Sequence, residues 1–428
     1  MSDTWLKLVP NDVLFFRGTE PFNAGETGYV RSQFPPSPTV IQGAIRTGLL
    51  EANGVSIKDY VNRDERLQAE HPRLLELVGS PGHGFEASRK HAFAGYKPAT
   101  LDLVGPFVAV GDEVLIPAPS DLARPKGAQS AGVVYLAPSD DTILSDLGRI
   151  RLIRPVTQGN GQAVETVKDA WLRLNERTLQ AYLTGQELET GDLVELTVSY
   201  NRRTLEGRID ENARRRVHME AKVGLALQEK SRTAVEGMLY YISPLRFGDD
   251  VSLLVGIRND LGELKLPDFL ALGGEGRFVS VQEAQAVRLS ISRREEVQGM
   301  IDQTHRFKLT LLQPAIFAPE SADAQESPDA WLPGGFSKVS HGSYDCWEGE
   351  LGGIHCRLIG ASISRYQEIG GWDIALKRAS GTYRAVPAGS VYFFETEASG
   401  EDVLQALHNQ KIGRFSQLGF GHCIIGGW

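Results

Sequence analysis

Near the start of the chain, polar residues occur in types and spacings suited to gripping a phosphate. Arg17 and Arg31 lie in the stretch leading to Ser37-Pro38, and Thr39, Gln42, Gly43 and Arg46 then recur at i, i+3, i+4 and i+7. On a helix that spacing gathers all four on one face. A helix N-terminus carries partial positive charge and unpaired N–H groups, and an anion placed there meets both. The same spacing also describes an ordinary solvated helix face, so by itself it leaves both readings open.

Three glycine-rich stretches invite a similar question. Gly273-Gly274-Glu275-Gly276-Arg277 is expected to follow a short helix and precede a strand over 278–281. Its glycines permit close backbone approach to a ligand and Arg277 supplies a cation, while a tight helix-to-strand turn explains the same residues. The GxxxxGK[ST] spacing of a P-loop is absent from the chain. Near the C-terminus, Gly419-Phe420-Gly421 sits between an expected helix and a final strand. A lone G-x-G is weak evidence of a site. The third stretch begins at Gly370-Gly371-Trp372-Asp373 and ends in an apolar run, Val391-Tyr392-Phe393-Phe394, that reads as a buried strand entered by the turn Pro387-Ala388-Gly389. The stretch reads first as architectural, with its basic residues Lys377, Arg378 and Arg384 as candidate RNA or partner contacts.

Catalytic chemistry finds little support. Gly248-Asp249-Asp250 sits between two expected strands, as a metal-binding Asp pair does in a polymerase palm. Two-metal chemistry needs further carboxylates on a neighbouring strand, and Gly-Asp-Asp is also what a hairpin turn prefers. The first histidine is His71, so the opening strand–loop–helix has none, and no HxxxH or HExxH pair occurs. Cys346, Cys356 and Cys423 form no CxxC pair and read as buried thiols. Neither a cofactor nor a metal is expected. The formal charge of −9 argues against a free-standing, nonspecific nucleic-acid binder, though a local basic surface remains open. One such stretch is 202–216, with six arginines against three acids, which reads first as a solvated loop and second as an RNA contact.

The elements that position these residues follow from apolar patterning. Residues 4–16 read as a strand interrupted at Pro10–Asp12. Ser37 is expected to cap the next helix through its hydroxyl, with Pro38 at the first helical position. Ile41, Ile45, Gly48, Leu49 and Ala52 form the buried stripe, and Leu50 strays from it. Gly, Pro and Ser break up residues 79–160, which read as an insertion of short strands containing a mobile loop at 117–132. Residues 164–183 show helical spacing. Further strands are expected at 237–247, 251–258, 306–317, 355–364 and 391–396, with a helix at 401–409 and a mobile acidic loop at 318–330. The chain is long enough for two domains, expected at 1–235 and 236–428. No apolar run is long enough to span a bilayer and the N-terminus lacks a signal-peptide core, so a cytoplasmic location is expected.

Several of these stretches are similar to one family. FFRGTEPF and FPPSPTVIQGAIRT at the start, Trp171…Leu179-x-x-Tyr182-Leu183-x-Gly185, Thr233-Ala234…Glu236-Gly237-x-Leu239-Tyr240, the Gly-Gly-Glu-x-Arg turn, the segment from Gly370 to Phe394 and the C-terminal glycine loop resemble the third-subunit family of the type III-B CRISPR effector, the Cmr complex, within the RAMP superfamily. The resemblance covers roughly 1–52, 164–185, 216–281 and 370–428, and is poor over 79–160 and 318–350. It implies an α+β fold of two ferredoxin-like (RRM-like) domains with insertions, the second ending in a glycine-rich loop that packs between the domains near bound RNA. It implies a noncatalytic RNA-binding subunit that holds the 5′ tag of the guide RNA and docks the large polymerase-like subunit and the first backbone subunit. The RNA-binding residues it points to are Arg17, Arg31, Ser37, Thr39, Gln42, Gly43, Arg46, Gly273, Gly274, Gly276, Arg277, Gly419, Phe420 and Gly421. A metal-independent guide-RNA-processing endoribonuclease of the same superfamily and a purely structural adaptor are the alternatives.

Overall fold

The computed structural model describes the chain except for residues 1–2, 20–28, 63–64, 82–98, 128–131, 157–162, 168, 190, 197, 201–215, 228–232, 319–329 and 374–376. The arginine-rich run (all but its last residue) and most of the acidic stretch therefore lie outside the described residues. The fold is mixed α+β and rich in strands, with seven α-helices among the described residues. Two compact units interleave along the sequence. Unit 1 comprises 1–112, 196–286 and 368–383, and unit 2 comprises 113–195, 287–367 and 384–428. The expected boundary near 235 falls inside unit 1.

Unit 1 contributes to an antiparallel sheet, in this order, the strands Leu103–Val110, Val251–Ile257, Thr4–Pro10, Phe278–Glu283 and Phe269–Ala271, the last of them an edge. Leaving aside the short edge strand 269–271, the chain order across this sheet is second, third, first, fourth. Leu103–Val110 and Val251–Ile257 are buried along their whole length, as uninterrupted apolar strands require when both faces are covered. The helix Pro38–Ala52 follows the first strand and buries Ile41, Ile45, Gly48 and Leu49, with Leu50 buried as well. Gly48 lets it approach the sheet closely, because a Cβ there would run into Leu270 and lie 2.9 Å from the ring of Pro267.

Two expectations for these regions are corrected. Residues 79–160 are more than an insertion of short strands, since Leu103–Val110 is an inner strand of unit 1 and Val134–Ser145 is 12 residues long. The expected helix over 164–183 is split, into a strand at Ala170–Arg173 and a helix at Glu176–Leu183. Pairing of Leu172 with Leu193 and Ile116 buries Ala170, Trp171 and Leu172 in succession, a strand pattern. Asn175 then starts the helix by accepting a hydrogen bond from the Thr178 N–H at 2.9 Å.

Unit 2 centres on a six-stranded antiparallel sheet in the order Ser337–His341, Tyr344–Leu351, Ile354–Ser362, Val391–Thr396, Arg306–Leu311 and Cys423–Gly427. Its last four strands again show the order second, third, first, fourth, and the helix Gly400–Leu407 joins the third to the fourth. Ser399 caps that helix by accepting from the Asp402 N–H at 3.1 Å. The expected strand at 391–396 is present and almost wholly buried.

A charged pair lies inside this unit. Lys308 Nζ donates to Asp121 Oδ2 at 2.7 Å, with both side chains at most 3% exposed. The Tyr182 hydroxyl donates to Asp121 Oδ1 at 3.0 Å and accepts from Thr310 at 2.7 Å. The ammonium also sits 3.8 Å from the centre of the Tyr182 ring. Burial lowers the Lys308 pKa, Asp121 opposes that shift, and burial raises the pKa of Tyr182. Among the described residues no helix is long and apolar enough to cross a membrane.

Candidate functional site

Within unit 1, the chain after Pro10 turns at Asn11-Asp12 and returns as an irregular strand. Leu14 bridges to Leu245 and Arg17 to Ser32, while Ser32 Oγ accepts from the Phe16 N–H at 3.2 Å. Phe15 and Phe16 are buried, and Arg17 and Arg31 are exposed.

The glycine turn docks on this segment. The Gly274 N–H donates to the Phe15 carbonyl at 2.8 Å. Gly273 has φ +79° and a Cβ there would lie 2.5 Å from the same oxygen, so only glycine fits. The turn links two strands, Phe269–Ala271 and Phe278–Glu283; the short helix expected before it is absent because Leu270 and Val279 pair across a hairpin. Arg277 Nη1 donates to Asp12 Oδ2 at 2.5 Å. Arg246 reaches the other Asp12 oxygen at 3.4 Å and also binds Glu220. A hydrogen bond from the Val13 backbone and the charges of Arg277, Lys222 and Arg246 hold the Asp12 carboxyl below the usual carboxylate range. Arg277 is thus oriented by a carboxylate that remains charged.

The opening helix presents its polar face differently from the expectation. Ser37 occupies the N-cap position, yet its hydroxyl makes no capping bond. It shares a 2.6 Å hydrogen bond with the Thr39 hydroxyl instead, and the Ser37 carbonyl accepts from the Val40 N–H. Gln42 is only 6% exposed and its Nε2 makes no hydrogen bond among the described residues. Gly43 is exposed, with open space where a Cβ would stand. Arg46 turns along the protein, donating to the Tyr60 hydroxyl at 2.7 Å and the Ser80 carbonyl at 3.4 Å, and the Tyr60 hydroxyl donates to the Gly79 carbonyl at 2.8 Å. Arg46 therefore braces the ends of two short helices, Ile57–Asn62 and Pro72–Val78.

The C-terminal glycine loop belongs to unit 2, where it folds inward. Phe420, expected at the RNA, is fully buried here and its ring packs the interior. Gly419 and Gly421 have φ +106° and +70°, and a Cβ at Gly421 would overlap the Ile412 carbonyl oxygen. The Gly421 N–H donates to the Pro314 carbonyl at 2.8 Å, and its carbonyl accepts from Ile412. The backbone that these glycines approach is the protein's own. In the third glycine-rich stretch, Trp372 is 64% exposed and Lys377 adopts φ +51°. The Arg384 guanidinium lies 4.9 Å from the Tyr366 ring centre.

Gly248-Asp249-Asp250 forms an exposed turn closed by the Val251 N–H on the Gly248 carbonyl. Its flanking strands, Leu245–Phe247 and Val251–Ile257, belong to different sheets, so the turn is not a hairpin. Among the described residues no group of three or more His, Cys, Asp or Glu is placed to hold a metal ion.

Sequence reasoning missed Asp12, which lies 265 positions from its partner Arg277 with no motif to link them. It also missed Phe269 and Phe278, 60% and 55% exposed. Phe269-Leu270-Ala271 is apolar throughout, so the sequence carried no signal that its first ring faces out while Leu270 is buried.

A protein-family model described as "CRISPR-associated protein (Cas_Cmr3)" matches residues 6–428. No curated protein matches the chain. Among solved structures, a chain in "Cryo-EM structure of the Type III-B Cmr-beta bound to cognate target RNA" is 14% identical, with a TM-score of 0.43 over 91% of this chain and 86% of that one. A chain in the same assembly with AMPPnP, state 1, gives 14% and 0.41 over the same shares. A chain in the "Apo state" structure of Cmr-beta gives 10% and 0.27, covering 67% of this chain and 98% of that one.

Proposed function

The chain belongs to the Cas_Cmr3 family of CRISPR-associated proteins, and from that premise we propose that it is a noncatalytic RNA-binding subunit of a type III-B CRISPR effector. In this reading it holds the 5′ tag of the guide RNA and docks the large polymerase-like subunit and the first backbone subunit. The observation that carries it is the family match across residues 6–428.

The strand orders support a RAMP-type architecture of two ferredoxin-like domains. Each unit carries four antiparallel strands in the order second, third, first, fourth, the order of the β-α-β-β-α-β motif. Unit 1 has the helix after its first strand and unit 2 the helix after its third. The RNA-binding face we assign to unit 1 includes Arg17, Arg31, Thr39, Gln42, Gly43 and Arg277, while Arg46 and Ser37 are engaged by Tyr60 and Thr39. In this reading the exposed arginines pair with phosphates, Arg277 keeps donors beyond the one given to Asp12, and the buried Gln42 Nε2 makes no hydrogen bond among the described residues.

With a net charge of −9 the isolated chain has little long-range attraction for RNA, and phosphate contacts dominate such affinities. Binding is therefore expected to be weak and salt-sensitive for the pure subunit and tight in the assembled particle. Titration of a tag-bearing guide RNA against both tests this. Nanomolar affinity of the pure subunit at physiological salt refutes the assembly dependence, and a guide RNA untouched by this chain in the particle refutes RNA binding. Metal-dependent turnover lost in Asp249→Ala/Asp250→Ala refutes the noncatalytic assignment.

A further inference from the structure

The sheet of unit 1 has one face covered by the opening helix and another that carries two bare phenyl rings. Leu270 and Val279 pair on the covered face, where the helix approaches through Gly48. One residue to either side, the pleat turns the register pairs Phe269–Ser280 and Ala271–Phe278 to the opposite face. Phe269 and Phe278 are thus diagonal neighbours, about 7–8 Å apart between backbones. Both rings are more than half exposed. The small residue Ala271 stands directly opposite Phe278 and leaves the space above it open.

The chemistry around the rings identifies what fits them. By register, Gln282, Val9 and Lys7 share their face, and Arg277 precedes Phe278. Ser280 Oγ donates to the Val9 carbonyl and to Asn11 Oδ1, both at 3.3 Å. On these three strands the face carries a lysine and no carboxylate; Asp12, at its rim, is engaged by Arg277 and Arg246. The core of a protein–protein interface needs contiguous apolar surface with few charges. Here the rings, with Ala271 and Val9 as their apolar neighbours, are set among serine, glutamine, lysine and arginine. The edge strand Phe269–Ala271 is three residues long, too short to template another strand. Flat rings ringed by hydrogen-bonding groups and cations suit nucleobases, which stack on aromatic side chains and leave their phosphates to the cations.

We propose that Phe269 and Phe278 form a stacking platform for unpaired bases of a single-stranded RNA, with Arg277 and Lys7 taking the adjoining phosphates. The platform rests on the RNA-binding reading above and extends it from backbone contacts to bases.

Short-wavelength ultraviolet irradiation of the purified ribonucleoprotein, followed by mass spectrometry of the peptides, tests it. Nucleotide adducts on Phe269 or Phe278 are expected. Adducts elsewhere on the chain with none at these rings overturn the platform and leave the RNA reading standing, while no adduct anywhere on the chain, with guide RNA retention independent of it, overturns both. In titrations of particles with a single-stranded oligoribonucleotide, Phe269→Ala and Phe278→Ala should each weaken binding about five- to 150-fold. Phe269→Trp and Phe278→Tyr should retain it, with melting temperatures unchanged because the rings are exposed. Unaltered affinity in folded alanine variants overturns the platform. So does loss of another protein component from the particle with RNA affinity intact, which would make this face a protein-docking surface. Should an alanine variant not fold, the adduct map of the unmodified particle decides.

Discussion

The two glycine turns, Gly273–Arg277 in unit 1 and Gly419–Gly421 in unit 2, look alike in sequence and have opposite fates. Each holds glycines at positive φ, and in each at least one glycine has backbone close beside it. At Gly421 the approaching groups are the carbonyls of Ile412 and Pro314, and Phe420 between the glycines is fully buried. At the other turn only Gly273 and Gly274 meet protein, at Phe15 and Phe16; Gly276 has open space around it and Arg277 reaches the surface. Glycine density therefore reports that something passes near the backbone, without reporting whether it is a ligand or the chain itself. The same lesson holds for ion pairs. Lys308–Asp121 and Arg277–Asp12 use the same chemistry, one enclosed and one at the surface.

The largest effect should come from the buried turn. Gly421→Val places a β-branched side chain at φ +70° against a carbonyl oxygen and is expected to cost about 4 kcal/mol or more, enough to unfold unit 2 in urea melts. Gly276→Ala, at φ +61° with nothing nearby, should cost only about 1–2 kcal/mol. Equal costs would dissolve the contrast between the turns. Next, Asp121→Ala strands the Lys308 ammonium in the interior and should destabilise by about 3–5 kcal/mol, measured by denaturant unfolding. A loss near zero would mean that Lys308 is already neutral or finds water.

Arg277→Ala should behave in the reverse sense. Its pair with Asp12 is exposed, so stability should change by about 1 kcal/mol at most. Guide-RNA binding in the particle should fall by about 1.5–3 kcal/mol if a charge-assisted hydrogen bond is lost. Normal RNA affinity would assign the arginine to the fold.

The smallest effect is a pH dependence confined to unit 2. His408 is buried, accepts from the Ile425 N–H through Nδ1 and donates through Nε2 to the Leu289 carbonyl. Burial, opposed by these backbone hydrogen bonds and assisted by Arg294, lowers its pKa below the usual histidine value. The unfolded chain then takes up the proton more readily than the folded one. The stabilisation is full above about pH 6.5 and is lost as the pH falls below it. Urea midpoints measured from neutral pH down to about pH 5 should decline less steeply in His408→Gln. Identical slopes would acquit His408.

Local rules made some of the molecule legible. Pro38 and the stripe Ile41, Ile45, Leu49 located the opening helix, and the apolar run 391–396 located a buried strand, because both patterns follow from the period of a single element. The side chain of Ser37 was misread, since its nearest partner is the Thr39 hydroxyl and such a choice lies below what spacing resolves. The stretch 164–174 went wrong for the opposite reason: its helical spacing yielded to pairing with strands on either side. The candidate site divides in the same way. Arginine, glutamine and glycine types were visible as chemistry, but Arg46 is committed to Tyr60 and Arg277 to Asp12, pairings that join distant positions.

By itself the sequence determined which residues could grip a phosphate, where the helix starts and the buried strand lie, and which family the motifs resemble, since each is written in neighbouring residues. Only the tertiary structure decided that the segments interleave into two units, that Phe420 faces inward and that Phe269 and Phe278 face out. Those outcomes depend on strand register and burial, set by contacts between residues far apart in the chain, and no local pattern encodes them.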